Sequence, residues 1–325
     1  MAKVISKPES ITPEKTRHHA EILANRIRKR FAHLSKRFKR QHIDCFRLFD
    51  WDIPEVRAVV DWYAGHAVVA EYERWQTSDE WLPAMAQAVA QALNLPPEKT
   101  HIKRRHTKTE EGPRYKRISS RNERFPVSER DLKFWVNLDD FLDTGLYSDH
   151  RDTRVLIRGL AKDKDFLNLF AYAGAFTCAA AAGGARTTTT VDRSSNYIKW
   201  AQDNLELSGF WNIKHRLIQS DVDKFLDKTA KESKRFNLAF VDPPSFFKDF
   251  RSRVSFDINE DHPKLLADVL KVMVPGSLLF FSTNHQRFEP RLNELKVKEV
   301  TDITLDTIPE DYRNKQVHRC WRIVV

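Results

Sequence analysis

Three cysteines in 325 residues leave little room for cysteine chemistry. Cys45, Cys178 and Cys320 stand far apart, with neither the paired spacing of a zinc site nor the density of a disulfide framework. They read as buried small hydrophobes of a reducing cytoplasm. No run approaches the roughly 18 apolar residues of a membrane span, and the first residues are charged rather than signal-like. A soluble cytoplasmic chain with no structural metal is expected. Glycine is scarce as well: the turn 168–177 carries Gly174 alone, where a dinucleotide fingerprint has three glycines, and this argues against a nicotinamide cofactor.

What the chain has in excess is positive charge, a formal +10. Residues 1–40 hold twelve Lys or Arg against three acids, and residues 99–124 hold ten against three. Clusters of this kind favour a polyanion through phosphate contacts and counterion release, so RNA is the expected partner. A solvated helix face with a basic loop is the plainer alternative.

The hydrophobic pattern predicts a basic amphipathic helix over 14–40, either packed or facing RNA, with Ile22, Ile27, Phe31, Leu34 and Phe38 near helical spacing. Strand-like runs at 45–49 and 66–72, a helix over 78–93 and further strands around a basic turn near Glu111-Gly112-Pro113 suggest a small α+β domain. Strand and helix then alternate: strands at 166–170, 187–191, 215–219, 236–241 and 277–282, helices at 175–182, 196–208 and 263–273, and a last pair of strands at 297–305 and 320–325. The predicted fold is α/β, a Rossmann-like class I methyltransferase domain behind the smaller α+β domain. The expected division is a basic helical arm over 1–40, an accessory RNA-binding domain over 41–140 and a methyltransferase domain over 141–325.

Three acids follow consecutive strands: Asp192, Asp221 and Asp242. In an open sheet the first is placed to accept from ribose hydroxyls, the second to meet an adenine amino group, and the third to border the reacting centre. An isolated Asp after a strand is more often a cap or turn residue. Three in order behind a glycine turn point to adenosylmethionine, which has no pyrophosphate to cradle. Asp242-Pro243-Pro244-Ser245-Phe246 adds an acid and two rigid prolines where a buried strand ends, a loop suited to methyl transfer onto a planar base.

Several long stretches, among them 138–151, 165–174, 183–192, 241–246 and 314–321, make the chain resemble the RlmK-type guanine-N7 methyltransferases of 23S rRNA. Those form the C-terminal half of the fused RlmKL enzymes. A more distant resemblance is to the RlmI-like rRNA cytosine carbon-5 methyltransferases. The resemblance to the RlmK-type enzymes implies an adenosylmethionine pocket lined by Phe170, Tyr172, Gly174, Asp192, Asp221 and Asp242 and closed by Asp149 and Arg151. Arg151 would grip the methionine carboxylate of the cofactor or pair with Asp149. No counterpart of the THUMP-bearing half of the fused enzymes is expected, so the basic segments are expected to deliver the RNA, alone or with a separate partner.

Carbon-5 methylation of cytosine needs a cysteine nucleophile. The RlmI-like enzymes carry it after the strand that follows the Asp-Pro-Pro segment, where this chain reads Ser282-Thr283-Asn284-His285. Guanine N7 needs none, because its lone pair lies in the base plane and displaces the methyl directly. Asp242 would orient the base or stabilise positive charge on it, Phe246 would stack on it or fill the core, and Pro243 and Pro244 would shape the loop. His285 and His318 read as structural histidines. Cytosine methylation, a noncatalytic RNA-binding or ribosome-assembly module, and a small-molecule methyltransferase are the alternatives.

Overall fold

The computed structural model describes residues 11–73, 77–106, 117–232, 234–249 and 254–325. The basic turn expected near residues 111–113 lies outside them. The chain forms two compact units, residues 1–131 with 136–144, and residues 132–135 with 145–325.

The first unit opens with α1 (Pro13–Arg40), followed by β1 (Cys45–Asp50), β2 (Ala58–Tyr63), β3 (His66–Glu73), α2 (Trp81–Leu93), β4 (Thr100–His106) and β5 (Phe125–Glu129). Thr12 caps α1 by accepting the Lys15 N–H at 3.3 Å, and Pro13 sits at the first turn, where its missing N–H removes no helical bond. Leu23, Ile27, Leu34 and Phe38 recur at helical spacing and are buried with α2 and the sheet. Burial at each such position contributes about 1.5–3 kcal/mol, so α1 is core structure on one side. Lys15, Arg17, Arg28, Lys29, Lys36, Arg37, Lys39 and Arg40 occupy its exposed side. The sheet runs β1-β2-β3-β4, antiparallel except for β4, which follows the α2 crossover and lies parallel to β3.

Residues 137–144 belong to this unit and are tied down along their length. Asp139 accepts from His101 at 2.8 Å, Lys103 donates to the Phe141 and Leu142 carbonyls, and Thr144 meets the Tyr63 hydroxyl at 3.0 Å. Asp140 is the centre of the strap. It accepts from Arg117 at 2.7 Å, from the Asn137 amide at 3.0 Å, and from the backbone N–H groups of Arg121 and Asn122 at 2.8 and 2.9 Å.

The second unit takes up β6 (Leu132–Val136) through residues 132–135, then α3 (Arg151–Leu160), β7 (Asp165–Leu169), α4 (Ala175–Ala182), β8 (Thr187–Asp192), α5 (Ser195–Leu207), β9 (His215–Gln219), α6 (Val222–Lys231) and β10 (Phe236–Val241). A short hairpin, β11 (Phe246–Asp249) with β12 (Val254–Asp257), leads to α7 (Ile258–Leu270), β13 (Met273–Thr283), β14 (Glu299–Asp302), α8 (Thr304–Thr307) and β15 (Arg319–Val324). The seven-stranded sheet has the order β14-β15-β13-β10-β7-β8-β9. From β7 the chain steps outward to β8 and β9, then returns to β10 on the other side of β7. That reversal leaves a crevice at the carboxyl ends of β7 and β10, the place where open α/β sheets bind ligands.

Helix α7 begins at Ile258, not near Pro263 as the sequence suggested. Asp257 caps it by accepting from Asn259 N–H at 2.9 Å. Pro263 lacks the N–H that would bond Asn259 carbonyl, and the Arg291 guanidinium supplies that bond instead at 2.9 Å. A long-range partner thus keeps proline inside the helix. The β11–β12 hairpin was also not foreseen from the sequence.

Candidate active site

The loop between β7 and α4 carries three left-handed residues: Phe170 at φ 56°, Tyr172 at φ 48° and Gly174 at φ 74°. At the two aromatic positions that backbone costs about 1–3 kcal/mol each, so the surroundings must hold it. The Tyr172 ring packs against Tyr147, Tyr197 and Trp200, with centroids 5.0, 4.5 and 6.0 Å away, and its N–H donates to Asp192 at 2.9 Å. At Gly174 a Cβ would stand 2.6 Å from the Ala201 Cβ, so this position needs glycine for both φ and the close approach of α5.

Asp192 ends β8 and is buried. Its two oxygens accept from Tyr172 and Ser194 N–H groups at 2.9 and 2.8 Å, but no cation pairs with it among the described residues. Burial therefore pushes its carboxyl up to about 6, against the pull of those backbone donors. The neighbouring Arg193 turns to Asp221 instead, at 3.3 Å, and Lys224 joins it at the same distance. A carboxylate has about four acceptor sites, so Asp192 keeps acceptor capacity beyond its backbone donors Ser194, Tyr172 and Arg193.

Asp242 follows β10, with its side chain 26% exposed. Pro243 behind it is buried, Ser245 donates to Asn284 at 3.0 Å, and Phe246 is 43% exposed, which removes the core-packing alternative for that ring. Beyond the Asn284 loop a cavity of about 660 Å³ is lined by Thr283, His285, Asp302, Thr304, Lys315 and Arg319.

Behind Asp242 lies a group of buried side chains. His150 Nε2 is 3.6 Å from an Asp242 carboxylate oxygen and 3.8 Å from Asp149. The His318 ring stacks on His150 at 4.1 Å and 18°, its Nδ1 lies 3.0 Å from Asp149, and its Nε2 lies 3.0 Å from Thr307 Oγ1. Burial works against a charged His150, but Asp149 and Asp242 outweigh it and raise its pKa above that of an ordinary imidazole. His318 moves the opposite way, lowered by burial and by the charge of its stacked neighbour. Asp149, His150 and His318 are close enough together to suggest metal ligands. However, ring lone pairs lie in the ring plane, and two face-to-face rings do not aim them at one point.

Arg151 has a partner remote in sequence. It is 1% exposed, and its guanidinium is ion-paired with the buried Asp311. His318 was expected to be merely structural, and His150 was not singled out. Both fall in stretches that carried the resemblance, next to Asp149 and before Cys320, and that was the signal available.

The order of strands, the strained loop and the acid at the end of β8 all suit one cofactor class. Residues 50–305 match a family described as S-adenosylmethionine-dependent methyltransferase. The chain belongs to that family. Its cofactor is S-adenosylmethionine, and the acceptor capacity at Asp192 fits that ligand. The chain is 39% identical over 308 residues to Ribosomal RNA large subunit methyltransferase K of Neisseria meningitidis serogroup B, covering 92% of this chain and 86% of that protein. Among solved structures, a methyltransferase complexed with SAH superposes with a TM-score of 0.74 at 22% identity, covering 94% of this chain and 82% of that one. The M. jannaschii tRNA m1G37 methyltransferase does so at 0.54 and 14%, covering 94% and 76%. At these identities the two structures speak for the methyltransferase fold alone. Among the described residues, no helix is long and apolar enough to cross a membrane.

Proposed function

We propose that this methyltransferase acts on rRNA and forms 7-methylguanosine in 23S rRNA by direct transfer, with no covalent enzyme intermediate. The rRNA substrate rests on the likeness to the Neisseria methyltransferase K and on the basic face of α1. Asp192 would hold the ribose hydroxyls of the cofactor, Asp221 the adenine side, and Phe170, Tyr172 and Gly174 the wall between them, with Asp149 nearby. When bound, the cofactor supplies an electrophilic methyl: the guanine N7 lone pair forms the new N–C bond, and the electrons of the broken S–C bond stay on sulfur.

No proton leaves the base in that step, so the protein needs alignment and a site for the cationic product rather than a general base. Asp242 supplies a carboxylate beside the base, Phe246 offers an exposed ring for stacking, and buried Pro243 with Pro244 fixes the loop that carries them.

The observation that carries the choice of guanine is the state of the thiols. All three cysteines are buried. Burial pushes the Cys178 thiol up to about 12. Cys320 lies on β15 opposite Ser282, and burial together with the charge of Asp242 drives it above the ordinary thiol range. Neither is a ready thiolate for attack on a cytosine ring. The test is incubation with unmodified rRNA and labelled cofactor, followed by nucleoside mass spectrometry. Labelled 7-methylguanosine is expected, and 5-methylcytidine would replace this reading with the covalent one. Absence of cofactor binding in calorimetry would favour a noncatalytic RNA-binding module.

A further inference from the structure

The reading above uses Asp242 but leaves the buried side chains behind it without a role. Asp242 is the member of this group with the most exposed side chain, at 26%; those of Asp149, His150 and His318 are 14%, 5% and 0% exposed. Two carboxylates and two imidazoles in so little water do not arrange themselves by chance, because each buried polar group must find a partner. His318 has one at each nitrogen, Asp149 on one side and Thr307 on the other. Thr307 is itself fixed, with its Oγ1 2.8 Å from the Thr304 carbonyl. His150 has Thr153 Oγ1 3.4 Å from Nδ1, leaving Nε2 toward the carboxylates. Phe176 and Phe240 close the remaining sides of its ring, edge-on at 5.6 and 5.8 Å.

We propose that His150 and His318 are positioning residues for Asp242. His150 presents an Nε2–H to one Asp242 oxygen and leaves the other for the base. His318, locked between Asp149 and Thr307, stacks behind His150 and fixes its ring. The inference rests on the reading of Asp242 as the acid that faces the base.

The stack also limits the charge of the pair. Two imidazolium rings at 4.1 Å repel, so the pair favours a single positive charge, one proton beyond the neutral form. Asp149 and Asp242 draw that proton to His150, while Arg154 of α3 opposes it. The other charged or ionisable neighbours do not compete: Arg151 is taken by Asp311, and the Cys320 thiol is neutral. A group whose pKa is raised in the folded chain keeps its proton to higher pH than a free imidazole does and loses it as pH rises through the raised value. Turnover should therefore fall as pH rises through the raised pKa of His150, above that of a free imidazole, as His150 gives up the charge that holds Asp242.

The experiment uses the full chain, with kcat and KM measured on rRNA across pH, cofactor Kd from calorimetry, and the His150 and His318 ring protons followed by NMR without substrate. His150→Ala should lower kcat about 10²-fold, the scale expected for a misplaced reacting group, with cofactor Kd within about threefold of the parent. His150→Gln keeps an amide N–H near the Nε2 position but cannot titrate. It should recover at least about tenfold of that loss and show no alkaline fall. The NMR titration should place His150 above a free imidazole and His318 below it. Any of three results overturns the proposal: His150→Ala with kcat within about twofold of the parent, His150→Gln with the alkaline fall intact, or His150 titrating below free imidazole. If the parent makes a nucleoside other than 7-methylguanosine, the guanine reading fails, while the His150 comparison is still read on that product.

Discussion

Asp140 in the first unit and Asp192 in the second are both buried, and both accept backbone N–H groups, yet their carboxyls move in opposite directions. Burial pushes Asp140 up, but Arg117, the Asn137 amide and the N–H groups of Asn122 and Arg121 overcome it and hold the carboxyl down at about 2. Asp192 has backbone donors and no cation among the described residues, and burial takes it up to about 6. The difference separates two uses of a buried acid. Asp140 has its bonding capacity filled from within the chain and serves as a fastener for residues 137–144. Asp192 is left with acceptor capacity, which suits an acid that completes its bonds with a ligand.

The largest effect should come from neither. Asp242→Ala removes the acid at the proposed reacting centre and should lower kcat about 10²–10³-fold, measured with labelled cofactor on rRNA, with cofactor Kd little changed. Asp192→Ala should weaken cofactor binding in calorimetry by about 10–100-fold, the worth of one or two charge-assisted hydrogen bonds. The same contrast appears in pH. The ionised carboxylate of Asp192 is the form that accepts hydroxyls, so affinity should be constant above about pH 6 and fall as the pH drops through that value. Asp140→Asn should do the reverse of Asp192→Ala: a loss of about 1–3 kcal/mol in denaturant unfolding, with cofactor Kd unchanged. If Asp140→Asn changed cofactor affinity as much as Asp192→Ala, the separation into fastener and ligand acid would break. Smallest should be the charge effect on α1, where Lys36→Glu with Arg37→Glu should weaken rRNA binding about tenfold or less and flatten its salt dependence without changing cofactor Kd.

The parallel strands were legible because each is a short apolar run bounded by a turn residue; 215–219 and 236–241 emerge at the expected positions. Helix α7 was misplaced because the bond that tolerates Pro263 comes from Arg291, and no local pattern shows it. The three acids were legible as a series since each follows a strand. Their environments were not: the same residue type after a strand is ion-paired at Asp221 and without a cation at Asp192, and the side chain of Arg193 decides between them. The pairing of Arg151 with Asp311 was not legible for a similar reason, since the two are remote in sequence. His150 and His318 meet only when β15 returns beside β13, so reasoning about single histidines could not pair them.

The central claim is direct methylation of guanine at a site without a nucleophilic thiol. Its most direct test is nucleoside mass spectrometry on unmodified rRNA treated with the full chain and labelled S-adenosylmethionine, with Cys320→Ser run in parallel. Labelled 7-methylguanosine from both proteins is the predicted result. Labelled 5-methylcytidine, lost on Cys320→Ser, would contradict it.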